Sequence, residues 1–313
     1  MKDESVHQLD RDLLLPLEDL RQELSDLEAG SFVGMTDEEL QEQIRRIHHG
    51  FVLRAPAYPP GTLIYRAVRV TERPSNKSRI SYPPPEHVRA NGRLNKAGEV
   101  MFYGALNQFG SCLVECGYQV GEFFAVSAWL TKVTMTVNHL GYSQAVLDQV
   151  KARRELPAFV KVDGDTERNM MIREWQSRIF TATVPQGREH LYRLSIALKN
   201  FALGPIHPVP NAPTLFSGVL YPSVAMWLLG DNIAILSSEV DGKLELFEVI
   251  LLTLDSVTVT ATADGGTQTA QNIKTYDFAK PDAEGNLLWG QTSRIVYPPG
   301  VTPPPIKAPA PGS

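Results

Sequence analysis

The stretch between residues 65 and 115 contains the side chains best suited to chemistry. Arg66 lies in an apolar run that predicts a strand, and a Pro-rich loop then leads to the turn Gly92–Gly98. Tyr103 stands at the end of a second predicted strand, and Glu115 stands on a short predicted helix. A guanidinium pairs with phosphate oxygens, an aromatic ring stacks on a base, and a carboxylate stabilises developing positive charge. These residues are therefore suited to hold an anionic substrate that carries a ring.

Each of these side chains also has a structural alternative. Arg66 either binds a dinucleotide pyrophosphate through bidentate hydrogen bonds from its planar guanidinium or forms a salt bridge within the sheet. Arg93, in the glycine-rich turn, is either a second phosphate contact or a brace for the loop. Tyr103 either offers a flat face to a nicotinamide or adenine ring or belongs to the core. The residue types alone leave these alternatives open.

The order of these motifs along the chain resembles the RES domain, the toxin half of bacterial RES-Xre toxin–antitoxin pairs. The matching segments are Tyr65-Arg66-Ala67, Gly92-Arg93-Leu94-Asn95 with Gly98, Phe102-Tyr103-Gly104-Ala105, Glu115, and Gly218-Val219-Leu220-Tyr221-Pro222-Ser223. The motifs span about residues 62–236, and the chain departs from the family pattern by long insertions in its helical region. The glycine-rich turn and the Tyr-Pro-Ser segment are moderately specific only as a pair.

The resemblance implies an α+β fold with an ADP-ribosyltransferase-like split mixed β-sheet flanked by helices. It implies four catalytic residues, which are Glu115, Arg66, Tyr103 and Ser223. It also implies a substrate-binding set for NAD, which consists of Arg66, Tyr65, Arg93, Asn95 and Tyr103. NAD is then a substrate that is consumed, so we expect no stored cofactor. The partner that the family implies is an Xre-like antitoxin or another neutralising protein.

The function expected from the resemblance is cleavage of NAD at the nicotinamide–ribose bond, with water or phosphate as the acceptor. This reaction passes through an oxocarbenium-like ribosyl cation, which Glu115 would stabilise unless it is an ordinary surface glutamate. Ser223 either hydrogen-bonds the carboxamide or a ribose hydroxyl or caps the element after Pro222.

Two other functions remain open. One is transfer of ADP-ribose to a protein. Many arginine-specific transferases have an acidic or amide residue two positions before the catalytic glutamate, whereas this chain has Leu113 there. That difference favours a free acceptor. The other is a non-catalytic interaction module on the same fold, which the presence of all four catalytic positions disfavours.

Composition and motif searches exclude several other classes. The net charge is −5, so no overall basic field favours nucleic acid, and no run approaches the roughly 20 apolar residues of a membrane span. The sequence lacks the phosphate-loop, dinucleotide-fingerprint, hydrolase-elbow and zinc-protease motifs. Cys112 and Cys116 are too few for a metal site, and His48-His49 is predicted to be a surface pair. We expect a cytoplasmic protein without a bound metal.

The predicted elements divide the chain into three parts. Residues 1–50 form a helical arm, with a capping box of Thr36 and Glu39, and the arm packs through one leucine-rich side as a structural lid or as a contact in a homo-oligomer. Residues 51–297 form the catalytic domain, with a helical insertion at about 140–204. Its predicted strands include residues 62–70, 99–104, 123–137, 218–222, 232–236 and 244–262. Residues 298–313 form a Pro-rich disordered tail.

Overall fold

The computed structural model describes residues 14–106, 109–117, 119–151, 166–185, 187–204, 216–224, 230–261 and 267–293. Within them the chain is a mixed α+β protein with seven α-helices and ten strands. The helices are α1 (Leu17–Glu28), α2 (Asp37–Ile47), α3 (Phe109–Glu115), α4 (Gln144–Lys151), α5 (Glu167–Thr181), α6 (Arg193–Leu203) and α7 (Ser237–Lys243). The strands are β1 (Ala57–Tyr58), β2 (Leu63–Val70), β3 (Met101–Leu106), β4 (Phe123–Thr131), β5 (Met135–His139), β6 (Gly218–Pro222), β7 (Asp231–Leu236), β8 (Leu244–Ala261), β9 (Thr267–Pro281) and β10 (Leu287–Trp289).

The chain forms two compact units, each of them assembled from separate segments. The first unit comprises Met1–Tyr58, Pro84–Met101 and Met135–Leu236, and the second comprises Pro59–Pro83, Phe102–Thr134 and Ser237–Ser313. The boundaries predicted at residues 50 and 297 and around the helical insertion stay predictions. The predicted tail lies outside the described residues.

The first unit contains most of the helices and four neighbouring strands in the order β1-β5-β6-β7. β5 and β6 run parallel, whereas β1–β5 and β6–β7 are antiparallel pairs. The strands β6 and β7 approach closely at Gly218, where an added Cβ would meet the Ala234 carbonyl oxygen at 2.2 Å. Only glycine fits this position without a shift of the backbone.

Two of the helices predicted for residues 1–50 are observed as α1 and α2, and each buries its leucine-rich side. The buried residues are Leu20, Leu24 and Leu27 on α1 and Leu40, Ile44 and Ile47 on α2. Thr36 Oγ1 accepts from the Glu39 backbone N–H at 3.2 Å, and Glu39 Oε2 accepts from the Thr36 N–H at 2.8 Å. This capping box is confirmed, and it satisfies donors that a helix N-terminus otherwise leaves unpaired. α1 packs against α5, and α2 packs against α6.

The prediction that the tandem histidines form a surface pair was wrong for His48. The imidazole is buried between aromatic rings, with the Phe201 centroid at 4.5 Å. Its Nδ1 donates to the Ile44 carbonyl at 2.7 Å, so its Nε2 accepts from the Gln176 amide at 3.0 Å. Burial lowers the pKa of His48 to about 4, and the ring is therefore neutral at pH 7. The apolar stripe of α2 continues one residue beyond the helix.

The second unit is built on the antiparallel strand order β3-β2-β4-β8-β9-β10. β4 lies between β2 and β8 and is therefore an internal strand of the sheet. The single strand predicted over residues 123–137 is instead β4 and β5, separated by a bend. The continuous apolar run concealed the bend, because Lys132 is its only charged residue. The last two strands, β9 and β10, were not predicted.

β8 and β9 form a hairpin that is longer than its neighbours. β4 pairs with β8 only over Leu244–Thr253, and beyond that point β8 pairs with β9 alone among the described strands. The β8–β9 ladder contains register shifts at Leu251/Leu252 and at Leu254/Ser256. Such irregularities bend a strand and increase its twist.

Candidate functional site

Arg66 lies at the place where β2 and β3 part. The pairing between these strands covers only Ile64 with Leu106 and Tyr65 with Ala105, whereas β2 and β4 pair along their full length. Gly104 precedes the paired residue Ala105, and an added Cβ at Gly104 would meet Ile64 Cγ2 at 2.7 Å. The glycine therefore permits β2 and β3 to approach closely where their pairing ends. The second unit therefore contains a locally split ladder, and Arg66 is the first residue of β2 beyond its end.

The guanidinium of Arg66 is held by backbone carbonyls. Its Nε donates to the Ser81 carbonyl at 2.8 Å, and its Nη1 donates to the Tyr103 carbonyl at 2.7 Å. It also lies over the Phe102 ring, with Cζ 5.4 Å from the centroid. The Tyr103 carbonyl thus bonds a side chain where a continued ladder would supply a backbone N–H. These contacts fix the guanidinium in one orientation.

The charge of Arg66 is not neutralised by a carboxylate among the described residues. Burial lowers the pKa of Arg66 to about 10, against smaller opposing effects of the Cys116 and Cys112 thiols and the Tyr103 phenol. The side chain is half-buried and stays protonated at pH 7. Two of its N–H groups bond carbonyls, so three of the five remain for another acceptor. The salt bridge that was the structural alternative for Arg66 is not formed within this part of the structure.

Tyr65 belongs to the core that joins the sheet to α3. It is buried, and its ring meets the Phe109 ring edge-on with the centroids 5.5 Å apart. Burial raises the pKa of Tyr65 to about 12, so its phenol is neutral. Tyr103 is half-buried, and strand alternation puts it on the same face of β3 as Ala105, the partner of Tyr65. A stacking role for Tyr103 stays a prediction.

Glu115 is the last residue of α3, and its side chain is exposed. The opposite side of the helix packs on the sheet through Cys112 and Leu113, with Phe109 beside them. Gly117 follows with a φ of +64°, a left-handed conformation typical of the residue that ends a helix. The packing of α3 thus presents Glu115 away from the core, on the helix that lies next to β2.

The two cysteines lie at the end of α3. Cys112 on the helix is buried, and Cys116, which follows it, is half-buried. Burial raises the pKa of both thiols above the ordinary range, which disfavours the thiolate that binds metals. Among the residues that the structure describes, no group of three His, Cys, Asp or Glu side chains could hold a metal ion.

The glycine-rich turn of the first unit is held by the helices around it. Arg93 donates from Nη1 to the Phe180 carbonyl at 2.9 Å and from Nη2 to the Ala182 carbonyl at 3.1 Å, at the C-terminal end of α5. In turn, the Arg93 carbonyl accepts from Ser195 Oγ at 2.6 Å. These are the contacts of the predicted brace, and the phosphate-binding role of Arg93 stays a prediction.

Asn95 and Ser223, the other predicted site residues of the first unit, are buried. The Asn95 carbonyl closes the turn by accepting from the Gly92 N–H at 2.9 Å. Ser223 follows directly after β6, and its N–H donates to the Gly230 carbonyl at 2.8 Å. Their predicted roles toward substrate are not tested by these contacts.

The second unit brings together Tyr65, Arg66, Tyr103 and the helix that carries Glu115. The first unit holds Arg93, Asn95 and Ser223. Sequence reasoning missed the residues that orient Arg66, namely Ser81 and Phe102. Phe102 was visible as the neighbour of Tyr103 in a matched segment, but Ser81 acts through its carbonyl and leaves no signal in a sequence.

No protein-family model matches this chain, and a search of curated proteins finds no similar sequence. Within the described ranges, no helix is both long enough and apolar enough to cross a membrane.

Proposed function

We propose that this protein cleaves NAD at the nicotinamide–ribose bond and passes the ADP-ribosyl group to water or phosphate. The observation that carries the proposal is the half-buried charge of Arg66. Its guanidinium is oriented by two carbonyls, retains three N–H donors and has no carboxylate partner among the described residues. An oriented and unneutralised cation of this kind favours a bound anion, and a pyrophosphate can accept two N–H bonds at once.

Glu115 would act on the reacting sugar. When the bond from C1′ to the nicotinamide nitrogen breaks, its electron pair neutralises the pyridinium ring and positive charge develops on the ribose. A carboxylate stabilises that charge, and water or phosphate then attacks C1′ with loss of a proton. Glu115 is exposed on α3, which lies next to β2. Because α3 packs on the face of the sheet that carries Tyr65, and Arg66 points to the other face, one substrate would reach both residues through the gap between β2 and β3.

The environment of Leu113 favours a free acceptor over a protein acceptor. Leu113 occupies the position at which arginine-specific transferases carry an acidic or amide residue. Its side chain is fully buried in the core between α3 and the sheet. An acceptor protein therefore gains no polar contact there, whereas water or phosphate needs none.

The direct test is to incubate the purified full chain with NAD, with and without phosphate, and to resolve the products by mass. We expect free nicotinamide together with ADP-ribose or its phosphorylated form. Glu284→Gln is a matched control for Glu115→Gln, since Glu284 is an exposed glutamate of the same unit. A protein that gains the mass of ADP-ribose would instead support the transferase, and intact NAD would contradict both enzymes.

A cellular test follows from the same reaction, because an enzyme that consumes NAD depletes a central cofactor. We expect intracellular NAD to fall before growth stops when the chain is expressed without a neutralising protein. An Xre-like antitoxin is the proposed neutraliser, and its co-expression should restore both NAD and growth. Normal growth and unchanged NAD, with soluble protein accumulating, would contradict the toxin role.

A further inference from the structure

Arg69 lies on β2 three residues after Arg66, but its surroundings differ. Its Nη2 donates to the Gly117 carbonyl at 2.8 Å, and its Nε lies 2.9 Å from Glu122 Oε2. Its charge is thus used within the protein, by a carboxylate on one side and by the end of α3 on the other. Arg69 is therefore engaged within the protein and is not available to bind an anion in the way proposed for Arg66.

The two contacts of Arg69 close the segment that runs from α3 to β4. Gly117 ends α3 with a left-handed backbone, and Glu122 immediately precedes β4. Glu122 Oε2 also accepts from the Gln119 N–H at 3.1 Å, which tightens the intervening turn. The residue that ends α3 is therefore tied to β2 by the side chain of Arg69.

We propose that Arg69 is a positioning residue for Glu115. Glu115 is the last residue of α3 and lies two residues before the carbonyl that Arg69 holds. Helix ends fray unless their last carbonyls find donors, so the clamp keeps Glu115 in a fixed place relative to β2. Because β2 also carries Arg66, one strand sets the spacing between the anion-binding cation and the carboxylate. This inference rests on the proposed function.

The test separates positioning from binding. Arg69→Gln removes the clamp but leaves Arg66 untouched, so we expect kcat for NAD cleavage to fall about 10-fold while KM changes less than about 2-fold. Arg69→Lys keeps the charge and one donor and should recover at least half of the lost rate. Arg45→Gln is the matched control, because Arg45 is an exposed arginine with a carboxylate oxygen at 2.8 Å on a helix of the arm. It should cleave NAD at the parent rate.

A double variant identifies the route by which Arg69 acts. If Arg69 works through Glu115, adding Arg69→Gln to Glu115→Gln should lower kcat by less than about 2-fold beyond Glu115→Gln alone. Full additivity, or an Arg69→Gln rate equal to the parent rate, would overturn the inference. An Arg69→Gln variant with a lower melting temperature, in which kcat falls and KM rises together, would show that Arg69 has only a structural role. Failure of the parent protein to cleave NAD is a different outcome, and it would count against the proposed function itself.

Discussion

Arg66 in the second unit and Arg93 in the first are both bound by two backbone carbonyls, yet their electrostatic settings differ. Arg93 meets carbonyls at the C-terminal end of α5, where the helix dipole supplies partial negative charge. Arg66 meets one loop carbonyl and one strand carbonyl in a gap of the sheet, and burial lowers its pKa. Each guanidinium uses two of its N–H groups on carbonyls, so the two arginines differ in the helix dipole beside Arg93 and in the burial that lowers the pKa of Arg66.

Several charged groups of the first unit are paired with one another. Asp37 accepts from both Lys96 and Arg193, and the buried Lys199 pairs with Glu99. His48 is held neutral by burial. These pairs join elements of the first unit. Arg168 of that unit bonds the Leu15 and Ile47 carbonyls, as Arg66 of the second unit bonds those of Ser81 and Tyr103.

Glu115→Gln gives the largest expected effect and tests the catalytic side of the comparison. The amide keeps the shape and the hydrogen-bonding capacity of the side chain but removes the charge that stabilises the ribosyl cation. We expect kcat to fall by roughly 100- to 1000-fold with a small change in NAD affinity. Steady-state kinetics measure both, and equal melting temperatures establish that the variant is folded. Turnover at the parent rate would make this carboxylate structural.

The buried imidazole of His48 predicts a loss of stability in acid. The pKa of His48 in the folded state is about 4, below its ordinary value of 6.5. Between these values the unfolded state binds more protons, so the free energy of unfolding decreases as the pH falls from about 6.5 to about 4. A shift of this size corresponds to roughly 3 kcal/mol.

Urea denaturation at several pH values measures this dependence. His48→Gln should flatten it, even though the variant is less stable than the parent at pH 7.5. A pH dependence that is unchanged in His48→Gln would contradict the role of His48, and it would assign the acid sensitivity to other groups such as His139, whose pKa burial lowers to about 3.

Paired substitutions of the two compared arginines test the contrast directly. Arg66→Lys loses the planar fork, so we expect NAD affinity to weaken about 10-fold with a smaller change in kcat. Arg93→Lys should lower the melting temperature and leave NAD affinity near the parent value, since both of its bonded nitrogens brace α5. Calorimetry measures affinity and melting in the same samples. Weaker NAD binding by Arg93→Lys would instead support its predicted role as a phosphate contact.

Asp37→Asn gives the smallest expected effect. Asp37 is partly exposed, and it connects α2 to Lys96 of the glycine-rich turn at 2.7 Å and to Arg193 of α6. Lys96 and Arg193 hold the pKa of Asp37 below its ordinary value. Exposed ion pairs each contribute about 0.2–1 kcal/mol, so we expect a loss of about 1 kcal/mol in the free energy of unfolding. Salt should reduce the difference between the two proteins, and a loss independent of salt would point to packing instead.

The sequence predicted those elements that depend on local patterns. The leucine stripes and the Thr36 capping box predicted the helices α1 and α2. The bend between β4 and β5 was missed because both strands are apolar and no proline or glycine separates them. β9 was missed because its partner β8 stabilises it through backbone pairing, which a polar sequence such as residues 267–272 does not reveal.

The candidate site was predictable only in its residue types. An arginine in a strand is recognisable, but its carbonyl partner at Ser81 depends on the path of a loop that the sequence does not specify. Likewise, the alternatives for Arg93 could be weighed only once the end of α5 was found beside it. The burial of His48 was missed because a polar residue beyond a helix end is usually solvated. In the structure the side-chain amide of Gln176, on α5, donates a hydrogen bond to the imidazole instead of water.

The long strand β8 consists of two parts that differ in how many neighbouring strands they pair with. Residues 249–253 lie between β4 and β9, so their amides belong to a ladder that opens only when the sheet opens. Beyond Thr253, β8 pairs with β9 alone among the described strands, and a two-stranded ribbon by itself is only marginally stable in water. Amide exchange along this one strand should therefore change abruptly near the register shift at Leu254/Ser256, with slow exchange before it and fast exchange after it.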